Sequence, residues 1–308
     1  MTSQSRILVI KLSALGDFVQ AMGPFAAIRA QYPDARITLL TTKPYAALAK
    51  ASPYFDEVWV DHRPKPWDVP GMLRLRKMLR SAKFQMVYDL QTSERSSRYF
   101  HLVHTGTPWS GIASGGSHPH DNPDRNRMHT LDRQADQLRM AGVPETPPPD
   151  LSWVERDLRK FRLPQKFALM VPGGAAHRTS KRWAPERYAA ISRRLGERGI
   201  STVLIGTDAD HEAIEAVLAA SPTAMSLADH TELLDIPAIA RLAWAALGND
   251  TGPMHLAAAA GCRSVVLFSS ESDPALCAPR GRVAILRKPD LAQLEVDEVW
   301  EALAQLTT

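Results

Sequence analysis

Three features of the sequence predict two open α/β domains, each built on a parallel sheet. Short runs rich in Val, Ile and Leu alternate with amphipathic stretches along the first half, a proline-rich break follows, and the same alternation then restarts. Runs this short and this apolar suit strands buried on both faces. The chain has 308 residues, 44% hydrophobic and 23% charged. That is an ordinary soluble composition, long enough for two domains of roughly 150 residues.

In order, "RILVIKL", "ARITLLTT", "FDEVWVDH" and "FQMVYDLQ" read as strands, and residues 17–32, 44–51, 70–82 and 92–104 as the helices between them. After "WSGIA" comes "SGGSHPHDNPDRNRMHT", rich in Gly, Pro, His and Arg and without periodicity, ahead of a helix over 131–141. It reads as a long loop, the kind that is often functional. The prolines of "GVPETPPPDLSW" block helix and central strand alike and predict a stiff extended linker. The expected domains are therefore 1–150 and 151–308. In the second, "FALMVPGG", "ISTVLIGT", "AMSLAD", "LAWAALGND", "SVVLFS" and "VAILRK" read as strands, and "EVDEVWEALAQL" as a closing helix.

No run approaches the roughly 20 apolar residues of a membrane helix, and "MTSQSRILVI" lacks a basic leader and a cleavage site, so a cytoplasmic location is expected. Cys262 and Cys277, the only cysteines, form neither a disulfide framework nor a metal-ligand spacing. A formal charge of +4 suits an acidic small-molecule substrate or an anionic membrane surface. No nucleic-acid module signature is present, and no nucleic-acid partner is expected.

In open parallel sheets ligands bind beyond the carboxyl ends of the strands, so chemistry belongs in the loops that follow them. In "VPGGAAHRTSKRWAPERY", Gly173 and Gly174 permit close backbone approach, and Thr179, Ser180, Lys181 and Arg182 offer donors to a phosphate. A solvated basic loop ahead of Pro185 fits the stretch equally. It is not a Walker sequence. In "GTDADHEAIEAV", one of Asp208 and Asp210 reads as a helix cap and the other, assigned to Asp210, as an acceptor for ribose hydroxyls. In "GNDTGPMHLAAAAG" a strand ends and a helix begins, so Asp250, Thr251 and Gly252 form a turn whose N–H groups point at an anion. His255, in the first turn, can add a donor. A cap for Asp250 and a packed imidazole for His255 remain open.

The last stretch resembles the Asp-Thr-Gly-x-x-His signature of the family 9 glycosyltransferases, the ADP-heptose:lipopolysaccharide heptosyltransferases. "ILVIKLSALGDFVQAMGPFAAIRAQYPDARITLLT" is similar to that family's opening segment, and "PGGAAHRTSKRWAPERYAAIS" to its phosphate loop with a Lys-x-Trp-x-Pro run. The likeness spans nearly the whole chain except the middle loop. It implies a GT-B fold, two Rossmann-like domains with parallel sheets facing a central cleft. The donor, ADP-heptose, is expected on the C-terminal domain. The acceptor, an anionic lipid-linked sugar of the lipopolysaccharide inner core, is expected on the N-terminal one, with peripheral contact to the inner membrane.

Asp17 matches the acidic residue after Gly in the family's opening motif and is the implied base for the acceptor hydroxyl. A helix N-terminus weakens such a base, and a plain capping role is an even alternative. Lys181 is the implied cation for the leaving diphosphate, with Thr179 or Ser180 and the Thr251–Gly252 turn donating further hydrogen bonds. Such a clamp can replace a metal, so inversion by direct displacement is expected with no metal and no cofactor. Lys11, Arg63, Lys65, Arg95 and Arg98 follow strands of the first domain and are candidates for the acceptor's anionic groups, although solvated charge fits any one of them. His118, His120 and His129 are too irregularly spaced for a metal site. Other readings are a different donor sugar, a different acceptor, or a nucleotide-sugar-binding protein without catalysis. The joint presence of Asp17, Lys181 and Asp250 argues against the last. A dinucleotide oxidoreductase is disfavoured because "KLSALGD" stands where a GxGxxG would follow the first strand.

Overall fold

The computed structural model describes residues 4–174 and 182–307, and the chain divides into two compact units, Met1–Pro149 and Asp150–Thr308. The first contains β1 (Arg6–Ile10), α1 (Leu15–Gln20), α2 (Met22–Gln31), β2 (Arg36–Thr41), α3 (Ala46–Ala51) and β3 (Glu57–Val60). It continues with α4 (Val69–Arg80), β4 (Met86–Asp89), α5 (Glu94–Tyr99), β5 (Trp109–Gly111), β6 (His118–Pro119) and α6 (Thr130–Met140). Every strand pair is parallel, in the order β3-β2-β1-β4-β5-β6. The central strands are buried along nearly their whole length and the edge strand β3 only partly. That gradient is why the inner runs carry almost no polar residues.

The second unit contains β7 (Phe167–Val171), α7 (Pro185–Glu197), β8 (Ser201–Leu204), α8 (His211–Ala220), β9 (Met225–Ser226) and α9 (Asp235–Leu242). After these come β10 (Ala246–Asn249), α10 (Gly252–Ala259), β11 (Ser264–Phe268), α11 (Pro274–Cys277), β12 (Val283–Arg287) and α12 (Val296–Thr307). Its sheet runs β12-β11-β10-β7-β8-β9, again all parallel. Counted within each unit, both sheets share the doubly wound order 3-2-1-4-5-6. The winding reverses between β1 and β4 in one unit and between β7 and β10 in the other. Those two reversals open the crevices in which such sheets bind ligands.

Several elements differ from the expected ones. The single helix expected over 17–32 is two, because Pro24 lacks the N–H that would bond the Gln20 carbonyl and its ring crowds that carbonyl, so the chain breaks at Ala21. The helix expected over 92–104 shrinks to α5, started by Ser93, whose hydroxyl accepts from Ser96 N–H at 3.2 Å. The middle loop is partly sheet, since His118 and Pro119 pair with Ser110 and Gly111. The "LAWAALGND" strand starts only at Ala246, with Leu242 closing α9 instead. The proline linker packs on its own unit, where a Cβ at Gly23 would lie 2.0 Å from the Pro147 carbonyl oxygen. Cys262 is buried, and burial pushes its thiol up to about 12. It is a packed, inert group.

Candidate active site

In the first unit the turns after β1 and β4 are tied together. Leu12 and Ser13 N–H donate to Gln91 Oε1 at 2.8 and 3.1 Å, and Lys11 Nζ donates to the Leu90 carbonyl at 3.1 Å. Gln91 and Thr92 N–H in turn donate to Asp89 Oδ1 at 3.1 and 3.0 Å. Thr92 takes a left-handed conformation, φ 43°, which a threonine adopts only when its surroundings enforce it. Asp17 sits at the third position of α1, and its carboxylate accepts from Ala14 N–H at 3.2 Å. The capping role and the site role thus fall on the same side chain.

Above these turns lies a cavity of about 240 Å³ that Lys11, Ser13, Asp17 and Gln91 line from below. Arg125 and Asn126 of the middle loop and Arg133, Gln134 and Gln137 of α6 complete it. Gln137 Nε2 donates to the Asp89 carbonyl at 3.0 Å, which docks α6 on the end of β4. The loop reaches the cavity because His120 and Asn122 bind one Asp136 oxygen at 3.1 and 2.7 Å. The Asn122 amide is the main cause holding the Asp136 carboxyl down to about 2. His129 caps α6, accepting from Leu131 N–H at 3.1 Å, and His118 pairs with Ser117. The three histidines serve different partners. Among the described residues no group of three His, Cys, Asp or Glu is placed to hold a metal.

Three cations and one carboxylate therefore line the cavity. Burial, then the adjacent Arg133, pulls Arg125 below the ordinary guanidinium value. Burial also lowers Lys11, and Asp17 is the largest opposing influence. A bound anion would relieve the repulsion between the guanidiniums, so the cavity suits an anionic ligand.

Of the five basic residues expected to meet an acceptor, Lys11 lines this cavity and Arg63 touches its rim, donating to Ser13 Oγ at 3.3 Å from a backbone at φ 53°. The others lie outside its lining. Arg95 donates to the Pro64 carbonyl at 3.1 Å, Lys65 lies over the Trp67 ring at 5.4 Å, and Arg98 pairs with Glu94 on the surface of α5. Arg125 and Arg133 were not among the expected site residues. The one signal for Arg125 was the arginine content of the loop, and Arg133, on α6, had none.

In the second unit Asn249, the last residue of β10, joins the two switch-point turns. It is fully buried. Its Nδ2 donates to the carbonyls of Pro172 and Gly173 at 2.8 and 3.0 Å, and its Oδ1 accepts from Trp183 N–H at 3.1 Å and the Tyr188 hydroxyl at 2.9 Å. Two donors and two acceptors satisfy the amide completely. The turn before residue 175 and the chain after residue 181 are thus anchored to one side chain. Thr179, Ser180 and Lys181, expected to meet the donor diphosphate, lie outside the described residues.

Asp210 lies beside the glycine turn. It is 7% exposed, its Oδ2 accepts from the Thr207 N–H and hydroxyl at 3.0 and 3.1 Å, and its Oδ1 faces Gly174 N–H at 3.3 Å and Arg182 at 3.4 Å. The carboxylate thus holds the glycine turn. A Cβ at Gly173 would lie 2.2 Å from that carboxyl group, so only glycine fits there. Arg182 donates to the Gly174 carbonyl at 2.7 Å.

Beside this turn α10 begins. Thr251 is its N-cap and Pro253 stands in its first turn. Asp250 precedes the cap, its N–H donating to the Leu267 carbonyl at 3.0 Å, so it does not cap α10. The Thr251 hydroxyl is buried and has no hydrogen-bond partner among the described residues. Its methyl lies 3.9 Å from the Cβ position of Gly174, so Gly174, Arg182 and the start of α10 face one another. His255 lies in the first turn of α10 and is buried. A helix N-terminus, a glycine turn and a guanidinium meet at one switch point, an arrangement with the chemistry to meet a phosphate.

The family model for glycosyltransferase family 9 (heptosyltransferase) matches residues 72–292. The chain is 26% identical over 301 residues to lipopolysaccharide heptosyltransferase 2 of Escherichia coli (strain K12), covering 87% of this chain and 83% of that one. The fold matches a family 9 glycosyltransferase from Veillonella parvula with a TM-score of 0.85, at 21% identity, over 100% of this chain and 98% of that one. It also matches the E. coli ADP-heptose lipopolysaccharide heptosyltransferase II with a TM-score of 0.80, at 21% identity, over 98% of each chain. The paired doubly wound sheets are the architecture of these glycosyltransferases. The chain belongs to glycosyltransferase family 9, the heptosyltransferase family.

Proposed function

We propose that this glycosyltransferase moves a heptose from ADP-heptose to the inner core of a lipopolysaccharide acceptor, inverting the anomeric carbon. The names of the relatives support the substrates. The observation that carries the mechanism is Asp17 in a cationic cavity at the first unit's switch point. The unit 1–150 takes the acceptor and 151–308 the donor. Lys11, Arg125 and Arg133 hold an acidic group of the acceptor sugar, and Arg63 adds a donor at the rim. The Asp17 carboxylate takes the proton from the acceptor hydroxyl as its oxygen attacks the anomeric carbon. The bond from that carbon to the diphosphate breaks in the same step.

The charge that develops on ADP is met by the N-terminus of α10, the Gly174 turn, Arg182, and Lys181 with Thr179 and Ser180. This clamp is cationic without a divalent ion. His255, in the first turn of α10, adds a hydrogen-bond donor to the same diphosphate. The acceptor is lipid-linked, so the enzyme works as a peripheral protein on the cytoplasmic face of the inner membrane. No helix among the described residues is long and apolar enough to cross one.

Asp17→Ala tests the reading. The expected result is a fall in kcat on the order of 10²- to 10⁴-fold, the usual worth of a general base, with ADP affinity unchanged. Undiminished turnover removes Asp17 from the mechanism.

A further inference from the structure

The described residues expose six large hydrophobic side chains strongly, and three of them, Trp67 at 75%, Val69 at 61% and Leu73 at 57%, fall within one short segment at the start of α4. The segment is firmly held. Asp68 caps α4, its Oδ1 accepting from Gly71 N–H at 2.9 Å, while Asp68 N–H donates to the Lys65 carbonyl at 2.9 Å. Gly71 packs so closely on this turn that a Cβ there would lie 2.8 Å from the Pro64 ring. Trp67 therefore projects from a fixed turn, with Lys65 over its ring.

Helix geometry places the exposed side chains together. Leu75 and Leu79 are buried in the core of the first unit. Val69 and Leu73 lie one turn apart on the opposite face, and Arg76 and Lys77, both exposed, follow Leu73 by three and four positions on that same face. Between residues 62 and 80 the sequence holds Arg63, Lys65, Arg74, Arg76, Lys77 and Arg80 against one acid, Asp68, already spent as a cap. Arg80 turns inward to the Leu102 and Val103 carbonyls and Arg63 toward Ser13, which leaves Lys65, Arg74, Arg76 and Lys77 as a basic rim.

An apolar ridge led by a tryptophan and set among cations, with the one acid of the segment occupied as a cap, is complementary to an anionic bilayer surface. The ridge fits the headgroup–acyl boundary and the rim fits the phosphates. We infer that the Trp67–Leu73 ridge and its Arg76–Lys77 flank dock this enzyme on an anionic phospholipid membrane. The inference deepens the proposed function, since a lipid-linked acceptor presents itself at such a surface. It is tested without any acceptor, so its failure and that of the transfer reading are separable.

The experiment is co-sedimentation of the full chain with vesicles of phosphatidylcholine plus phosphatidylglycerol, and with phosphatidylcholine alone. Binding is expected to the anionic vesicles only, and to weaken with salt. Arg76→Gln with Lys77→Gln lowers the partition coefficient on the order of 25-fold, about fivefold for each cation lost near an anionic surface. Trp67→Ser with Leu73→Ser lowers it at least about tenfold by removing the inserted apolar area. Both pairs lie on exposed positions, so unchanged melting temperatures are expected and exclude misfolding as the cause. Transfer to a deacylated, water-soluble acceptor is also expected to persist in both. Absence of binding by the folded wild type, or binding indifferent to both pairs, overturns the inference. So does a dimer in solution that Leu73→Ser dissociates while vesicle binding is unchanged, because the ridge would then cover a second copy of this chain.

Discussion

Replacing Asn249 with alanine tests how the donor turn is built. The amide is fully buried and makes four hydrogen bonds, so Asn249→Ala strands the Pro172 and Gly173 carbonyls, the Trp183 N–H and the Tyr188 hydroxyl in one step. Burial raises Tyr188 well above the usual tyrosine value, so its hydroxyl stays a neutral donor. Neutral buried hydrogen bonds contribute about 1 kcal/mol each, and a water entering the vacated space recovers part, so the expected cost is about 3–4 kcal/mol. For a domain of this size each kcal/mol corresponds to roughly 2–4 °C, and the melting temperature should fall by roughly 6–16 °C. Both flanks of the phosphate loop lose their anchor. ADP affinity, measured by titration calorimetry where both proteins are folded, should fall on the order of tenfold, or about 1.4 kcal/mol. Asn249→Asp should not rescue it, because a carboxylate accepts from Trp183 and Tyr188 but cannot donate to two carbonyls. A calorimetric shift under about 2 °C with unchanged ADP binding would refute the claim that one amide ties the two turns.

The remaining expectations concern charge, close approach and metal. Burial raises Asp89 to about 6 at a position with no exposure. Folding therefore favours its protonated form: the stability it contributes is fully present below about pH 4 and is lost as pH rises through 6, by about 3 kcal/mol. Urea unfolding across pH 4–7 should show that slope in the wild type and a flatter profile in Asp89→Asn; equal slopes would assign the pH dependence elsewhere. Gly173→Ala puts a methyl 2.2 Å from the Asp210 carboxyl group. It should cost about 1–3 kcal/mol and weaken ADP binding, and a crystal structure of that variant with an unmoved turn would contradict the close-approach argument. Transfer should continue in EDTA; activity lost on chelation and restored by magnesium would overturn the metal-free clamp.

The alternation of apolar runs reads through to the order of strands and helices because burial on both faces of a parallel sheet leaves almost no polar residue in a central strand. Asp17, the Gly173–Gly174 turn and the Thr251–Gly252 turn were legible for a related reason. They follow strands, carry side chains a core does not need, and resemble one family's motifs. Arg125 and Arg133 were not, because their place depends on Asp136 drawing the middle loop onto α6 and on Gln137 docking α6 against β4. Neither contact has a local periodicity. The contacts of Asp210 with Thr207 and Gly174 were not legible, because a carboxylate after a strand looks the same in sequence whether it faces a ribose or a glycine turn. Which face of α4 is the inner one is settled only by the burial of Leu75 and Leu79, with Val69 and Leu73 exposed.

The sequence by itself determined the fold class, the family and the loops in which chemistry would sit, since these follow from periodicity, chain order and motif. Tertiary structure alone decided which cations surround Asp17, which side chain joins the donor turns and which face of α4 stays open. Those depend on contacts between residues far apart in the chain, Lys11 with Leu90 or Trp183 with Asn249, whose geometry exists only after both sheets are wound.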